Sequence, residues 1–114
     1  MLPYALLVFL IGACGGLVVA SFVLRGRLAP WAVSLLHALF GATGLTLLTV
    51  AIFMDDLGTL PVVALGTLVV TALLGFYLAS LHLDRRIAVK KLVLTHAGLA
   101  VTGVVLLTAA ILLS

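Results

Sequence analysis

Two residues of this chain have the type and setting to do chemistry. His37 and His96 each stand alone in an apolar run, LLHALFGATGLTLLT over 35–49 and LTHAGLAVTGVVLLT over 94–108. In the second run the histidine, the alanine after it and the later Thr-Gly pair recur in register, 59 residues on. An ionisable ring within lipid-soluble sequence is costly and by default functional. No carboxylate shares these runs, because the acidic residues are Asp55, Asp56 and Asp84, all in polar breaks. Two imidazole nitrogens are too few to close a zinc site, and Cys14 has Leu73, not a second thiol, as its counterpart. They are enough to supply both axial positions of one haem iron, for which imidazole is a common ligand. His82 is different: its counterpart is Val23, and its place at the end of an apolar run suits a wet, interfacial ring.

The elements that must position these rings follow from composition. The chain has 114 residues, 66% of them hydrophobic and 8% charged, whereas soluble domains carry about 25% charged residues. Four apolar blocks, about 3–24, 30–54, 59–82 and 88–113, are each long enough to cross a hydrocarbon core of about 30 Å. The expected fold is an all-α membrane protein, a single four-helix transmembrane bundle over 1–114. All six basic residues cluster around two of the breaks: Arg25 and Arg27 at the first, Arg85 and Arg86 at the third, with Lys90 and Lys91 just beyond it at the start of the fourth block. Short loops rich in Lys and Arg stay cytoplasmic. A multi-pass protein of a bacterial-type inner membrane is therefore expected, with both termini on the non-cytoplasmic side. The same loops account for the net charge of +3 without any nucleic-acid partner. Tyr4 and Trp31 fall near the ends of spans, where amphipathic rings prefer to lie. Ile11-Gly12-Ala13-Cys14 faintly resembles a lipoprotein cleavage box, but no basic residue precedes it, and the first span is expected to be retained.

Sliding the sequence against itself by 59 residues matches roughly a third of the ungapped pairs. Leu and Ala matches are cheap in such a composition. Gly16/Gly75, Ser21/Ser80, Arg27/Arg86, His37/His96 and Thr43-Gly44/Thr102-Gly103 are not. We read two tandem two-helix repeats, 1–55 and 60–114. An even number of spans per repeat enters from the same side, which implies a pseudo-two-fold axis along the membrane normal. His37 and His96 then lie at equal depth, near the basic side, and face one another if both point inward.

Small residues stack beneath each histidine at i+4 and i+7: Gly41 and Gly44 on one helix, Ala100 and Gly103 on the other. Residues so spaced share one helical stripe, and the expectation is a slot for a flat ring. A ligating histidine usually donates its other N–H to a fixed acceptor. Ser21 and Ser80, or backbone carbonyls near them, are the expected acceptors. Arg25, Arg27, Arg86 and Lys90, with Lys91, are placed to meet haem propionates, since arginine pairs well with carboxylates. Tyr77 and the threonines read as core packing and backbone hydrogen bonding.

With His37 and His96 on the second and fourth of four helices, the layout resembles the cytochrome b type of membrane haem bundle. That resemblance implies one haem b per chain, ligated by His37 and His96 near the cytoplasmic side, and a role in electron transfer rather than stand-alone catalysis. The family typically carries a second histidine thirteen or fourteen residues further along each of these helices, where this chain has Val50 and Ala51, then Ala109 and Ala110. One haem, not a transmembrane pair, is therefore implied. A quinone or a soluble redox protein would exchange the electron, and the chain would sit in membrane lipid as a monomer or a homodimer. The competing classes are a scaffold or accessory subunit without haem, a copper-binding membrane protein, and a small transporter. The last is disfavoured by the lack of a carboxylate inside any span.

Overall fold

The computed structural model describes every residue from Met1 to Ser114. It is all helical: α1 (Leu2–Leu24), α2 (Trp31–Met54), α3 (Thr59–Leu83) and α4 (Lys90–Leu112). Each helix is long and apolar enough to cross a membrane, the mark of a multi-pass membrane protein. The bundle measures 43 × 23 × 18 Å, and its long dimension equals a bilayer with its headgroups, about 40–45 Å. Large apolar side chains such as Leu17, Phe53, Phe76 and Leu112 face outward, as expected of helices that are hydrophobic all round.

The helices form a ring. α1 packs chiefly on α2 and α3 chiefly on α4, with thinner seams between α1 and α4 and between α2 and α3. α2 and α4 therefore stand on one diagonal, α1 and α3 on the other. The core holds Leu2, Ala5, Phe9, Leu48, Ala51, Ala64, Leu68 and Leu107. The buried positions recur 59 residues apart: Leu2 with Pro61, Ala5 with Ala64, Phe9 with Leu68, Leu48 with Leu107, Ala51 with Ala110. Threonines cause no polar defect, because Thr43, Thr46, Thr67, Thr71, Thr95, Thr102 and Thr108 each donate to the carbonyl four residues back. Tyr77, read as a core residue, is instead exposed: its carbonyl serves Ser80 and its ring lies outside the bundle.

Every helix boundary falls within two residues of expectation, and two of the shifts have a local cause. α2 begins at Trp31 and α4 at Lys90, because Pro30 and Val89 take extended backbone (ψ 132° and 137°) as N-caps. α1 and α3 end alike. Gly26 N donates to Val23 O and Arg27 N to Phe22 O, while Arg85 N donates to His82 O and Arg86 N to Leu81 O. These are paired Schellman caps, whose turn residue takes left-handed backbone and is usually glycine. Gly26 obeys at φ 75°; Arg85 sits at φ 55° with a side chain.

A side chain in that region costs about 1–2 kcal/mol, partly offset because glycine frees the unfolded chain. Arg85→Gly should therefore raise stability by about 0.5–1 kcal/mol, and Gly26→Ala should lower it by about 1 kcal/mol. Reversible unfolding in detergent measures both; equal stability of Arg85→Gly and the parent would show that the loop carries no strain.

Candidate functional site: a facing histidine pair

His37 is the seventh residue of α2 and His96 the seventh of α4, about 9 Å in from the helix start at 1.5 Å per residue. Both rings point into the bundle. Their centroids are 6.0 Å apart and their planes nearly perpendicular, at 82°. The diagonal placement of α2 and α4 leaves the rings facing across the middle with no helix between them.

Each ring is anchored from the neighbouring helix of its own hairpin. His37 Nδ1 lies 2.8 Å from Gly12 O on α1, and His96 Nδ1 lies 3.0 Å from Thr71 O on α3. The two bonds span the same 25 residues of chain, and Gly12 and Thr71 are themselves 59 apart. A carbonyl can only accept, so each Nδ1 carries a proton and donates it. In the neutral ring the unprotonated Nε2 then keeps its lone pair. No polar side-chain atom in the protein is both sealed and unpartnered, so neither Nε2, which makes no hydrogen bond, is fully enclosed.

Ser21 and Ser80 are therefore not the acceptors. Both are exposed and turn back on their own helices, Ser21 Oγ to Val18 O at 2.7 Å and Ser80 Oγ to Tyr77 O at 2.6 Å. The residues that matter instead are glycines one turn beyond each accepting carbonyl. A Cβ on Gly16 would lie 2.8 Å from His37 Cε1, and one on Gly75 would lie 3.0 Å from His96 Cε1. Gly15 also faces His37, against its Cβ. The imidazole reaches a helix carbonyl because the residue overlying it has no side chain. The Gly16/Gly75 identity in the repeat carried this signal, but the sequence does not reveal which side chain presses on them.

The small residues beneath the histidines divide into two levels. A Cβ on Gly41 would meet nothing within 4 Å, and Ala100 is half-buried at the same level. Gly44 and Gly103 are buried, but their space is filled: a Cβ would strike the Phe9 ring at 2.7 Å and Leu68 at 2.5 Å. They seat the floor of the site rather than lining a slot. Seven residues separate each of them from its histidine, about 10.5 Å of helix, which lies beyond the half-width of a porphyrin centred on the rings.

At the basic end, Arg25 is engaged locally, its Nε 2.9 Å from Ser21 O and its guanidinium 5.2 Å from the Phe22 ring centre. Arg27, Arg86 and Lys90 are exposed. His82 is half-buried and held by α2: its Nδ1 is 3.2 Å from Ser34 Oγ, and Trp31 packs edge-on at 4.5 Å between ring centres. No three metal-ligating side chains converge anywhere. The chain matches no known family model, curated protein or solved structure.

The contacts of the glycines give a direct test. Gly16→Ala must displace the His37 ring and should cost about 1–3 kcal/mol, whereas Gly41→Ala should be neutral or stabilising by up to about 1 kcal/mol. Unfolding in detergent measures the difference, and a Gly16→Ala variant as stable as Gly41→Ala would contradict the imidazole contact.

Proposed function

We propose that the chain is a duplicated, two-by-two-helix b-type cytochrome of a bacterial-type inner membrane, holding one haem b between His37 and His96 for electron transfer. The observation that carries this is the 6.0 Å separation of the two facing rings. Two metal–imidazole bonds of about 2 Å each, plus the distance from nitrogen to ring centre on both sides, make roughly 6 Å. The protons fixed on Nδ1 by Gly12 O and Thr71 O leave Nε2 as the coordinating atom of both rings, the arrangement a ligating histidine normally has.

The remaining residues fit such a group. Gly41 has open space one turn beneath His37, Ala100 is the small residue at the matching place beneath His96, and Phe9 and Leu68 fill the level below. Arg27, Arg86 and Lys90 are the cations nearest the end at which propionates would emerge, with Arg25 already partly satisfied by its own helix. When bound, haem supplies a one-electron couple. Were His37 and His96 both to ligate the iron, electron exchange would be favoured over oxygen chemistry, with a quinone or a soluble redox protein as the partner. The positive-inside rule puts the basic loops, and so the histidines, nearer the cytoplasm, with both termini opposite.

Purification from cells supplied with ample haem should give a pigment whose dithionite-reduced spectrum has a sharp low-spin α band. His37→Ala and His96→Ala should each abolish that band, and His82→Ala should leave it largely intact. A colourless protein, or a band that survives both ligand variants, would remove the haem reading and favour an accessory subunit.

A further inference from the structure

One departure from the correspondence of the two halves has no counterpart elsewhere in the bundle. At the basic end, beside the seam of α2 and α3, a cavity of about 620 Å³ is lined by Phe22, Leu28, Ala29, Trp31, His82 and Arg85 among others. This size is within the range of about 300–1,000 Å³ typical of small-molecule sites. In the other half the positions equivalent to Trp31, His82 and Arg85 are Lys90, Val23 and Gly26. The aromatic wall, the anchored imidazole and the arginine are thus all specific to this seam and absent from the equivalent positions beside α4 and α1.

The lining has a definite polarity. Most of its lining residues are hydrophobic, Trp31, His82 and Arg85 add ring and guanidinium nitrogens, and no carboxylate lines it. Arg25 spends its guanidinium on Ser21 O and the Phe22 ring; Arg85 has no such intramolecular partner. Arg85 is also the residue held in left-handed backbone where the other half has glycine. Residues kept in sparsely populated backbone regions cluster where a ligand is bound. A cation kept there at a cost in stability, above an apolar recess at the end of the helices, is matched by an anion carried on an acyl chain. Basic pockets between transmembrane helices take acidic lipid headgroups in this way.

We propose that this cavity is a binding site for an acidic phospholipid, its phosphate on Arg85 and its chain against Phe22, Leu28 and Leu83. Neither His37 nor His96 lines the cavity, so the proposal does not rest on haem binding. It carries its own reporter, because Trp31 is the only tryptophan in the chain and lines the cavity.

The test is quenching of Trp31 fluorescence in bilayers that contain lipids with brominated acyl chains. At equal mole fraction, brominated phosphatidylglycerol should compete for the site about five-fold better than brominated phosphatidylcholine, the preference conferred by one basic residue. Arg85→Gly, expected to fold at least as stably as the parent, and Arg85→Gln should both reduce the preference to about one-fold. Arg86→Gln, which removes a neighbouring charge outside the cavity, should retain it. Equal quenching by the two lipids would overturn the proposal, as would loss of preference in Arg86→Gln to the same degree as in Arg85→Gly. Stronger quenching by a brominated fatty acid than by phosphatidylglycerol would replace the phosphate by a carboxylate and overturn the phospholipid assignment.

Discussion

An imidazole N–H inside an apolar bundle must find an acceptor, and most of this structure answers to that demand. Left unpaired, such a group costs about 1–3 kcal/mol, and no water is at hand in a bilayer core to relieve it. The acceptors used are carbonyls of intact helices, Gly12 O and Thr71 O. A helix carbonyl is normally screened by the side chain one turn further on. Gly16 and Gly75 remove that screen, and the close approach they permit is what draws α2 onto α1 and α4 onto α3 as the two principal seams. The tautomer, the ring orientation and the helix spacing are consequences of one hydrogen bond made twice.

Because each donor is satisfied sideways, within its own hairpin, the two rings can approach one another across the bundle, their centres 6.0 Å apart. The diagonal arrangement then turns two separate hairpins into one site. Phe9 and Leu68 differ in shape yet occupy equivalent places over Gly44 and Gly103, so the floor of that site is not symmetric even though its walls are. A further departure from symmetry is the recess of Trp31, His82 and Arg85, which neither His37 nor His96 lines.

Much of this was legible in the sequence, for physical reasons that also set the limit. Four spans follow from hydropathy alone, and the pairing of His37 with His96 follows from the echo at 59 residues. That both rings turn inward follows from the expense of exposing them to lipid. The acceptors were not legible, because a backbone carbonyl has no sequence signature and the serines that offered one are drawn to their own helices. Gly44 and Gly103 were visible as small residues, but whether a small residue leaves a gap depends on what the opposite helix inserts. Phe9 and Leu68 lie 35 positions away in each half, and periodicity along one helix says nothing of them. The strain at Arg85 is hidden for the opposite reason: the residue that reveals a left-handed cap is glycine, and here only the alignment with Gly26 betrays the turn.

The placement of the histidine bonds also bears on how such a chain is assembled. Gly12 and His37 belong to one helical hairpin, Thr71 and His96 to the other, and the hairpins meet along thinner seams. A hairpin leaving the insertion machinery can therefore satisfy its ring N–H before its sister exists. The ring N–H of the first hairpin is thus already paired while the second half is made. The last event is the meeting of two finished, mostly apolar faces, a union of modules in which the cross-bundle site comes into being only when both have arrived.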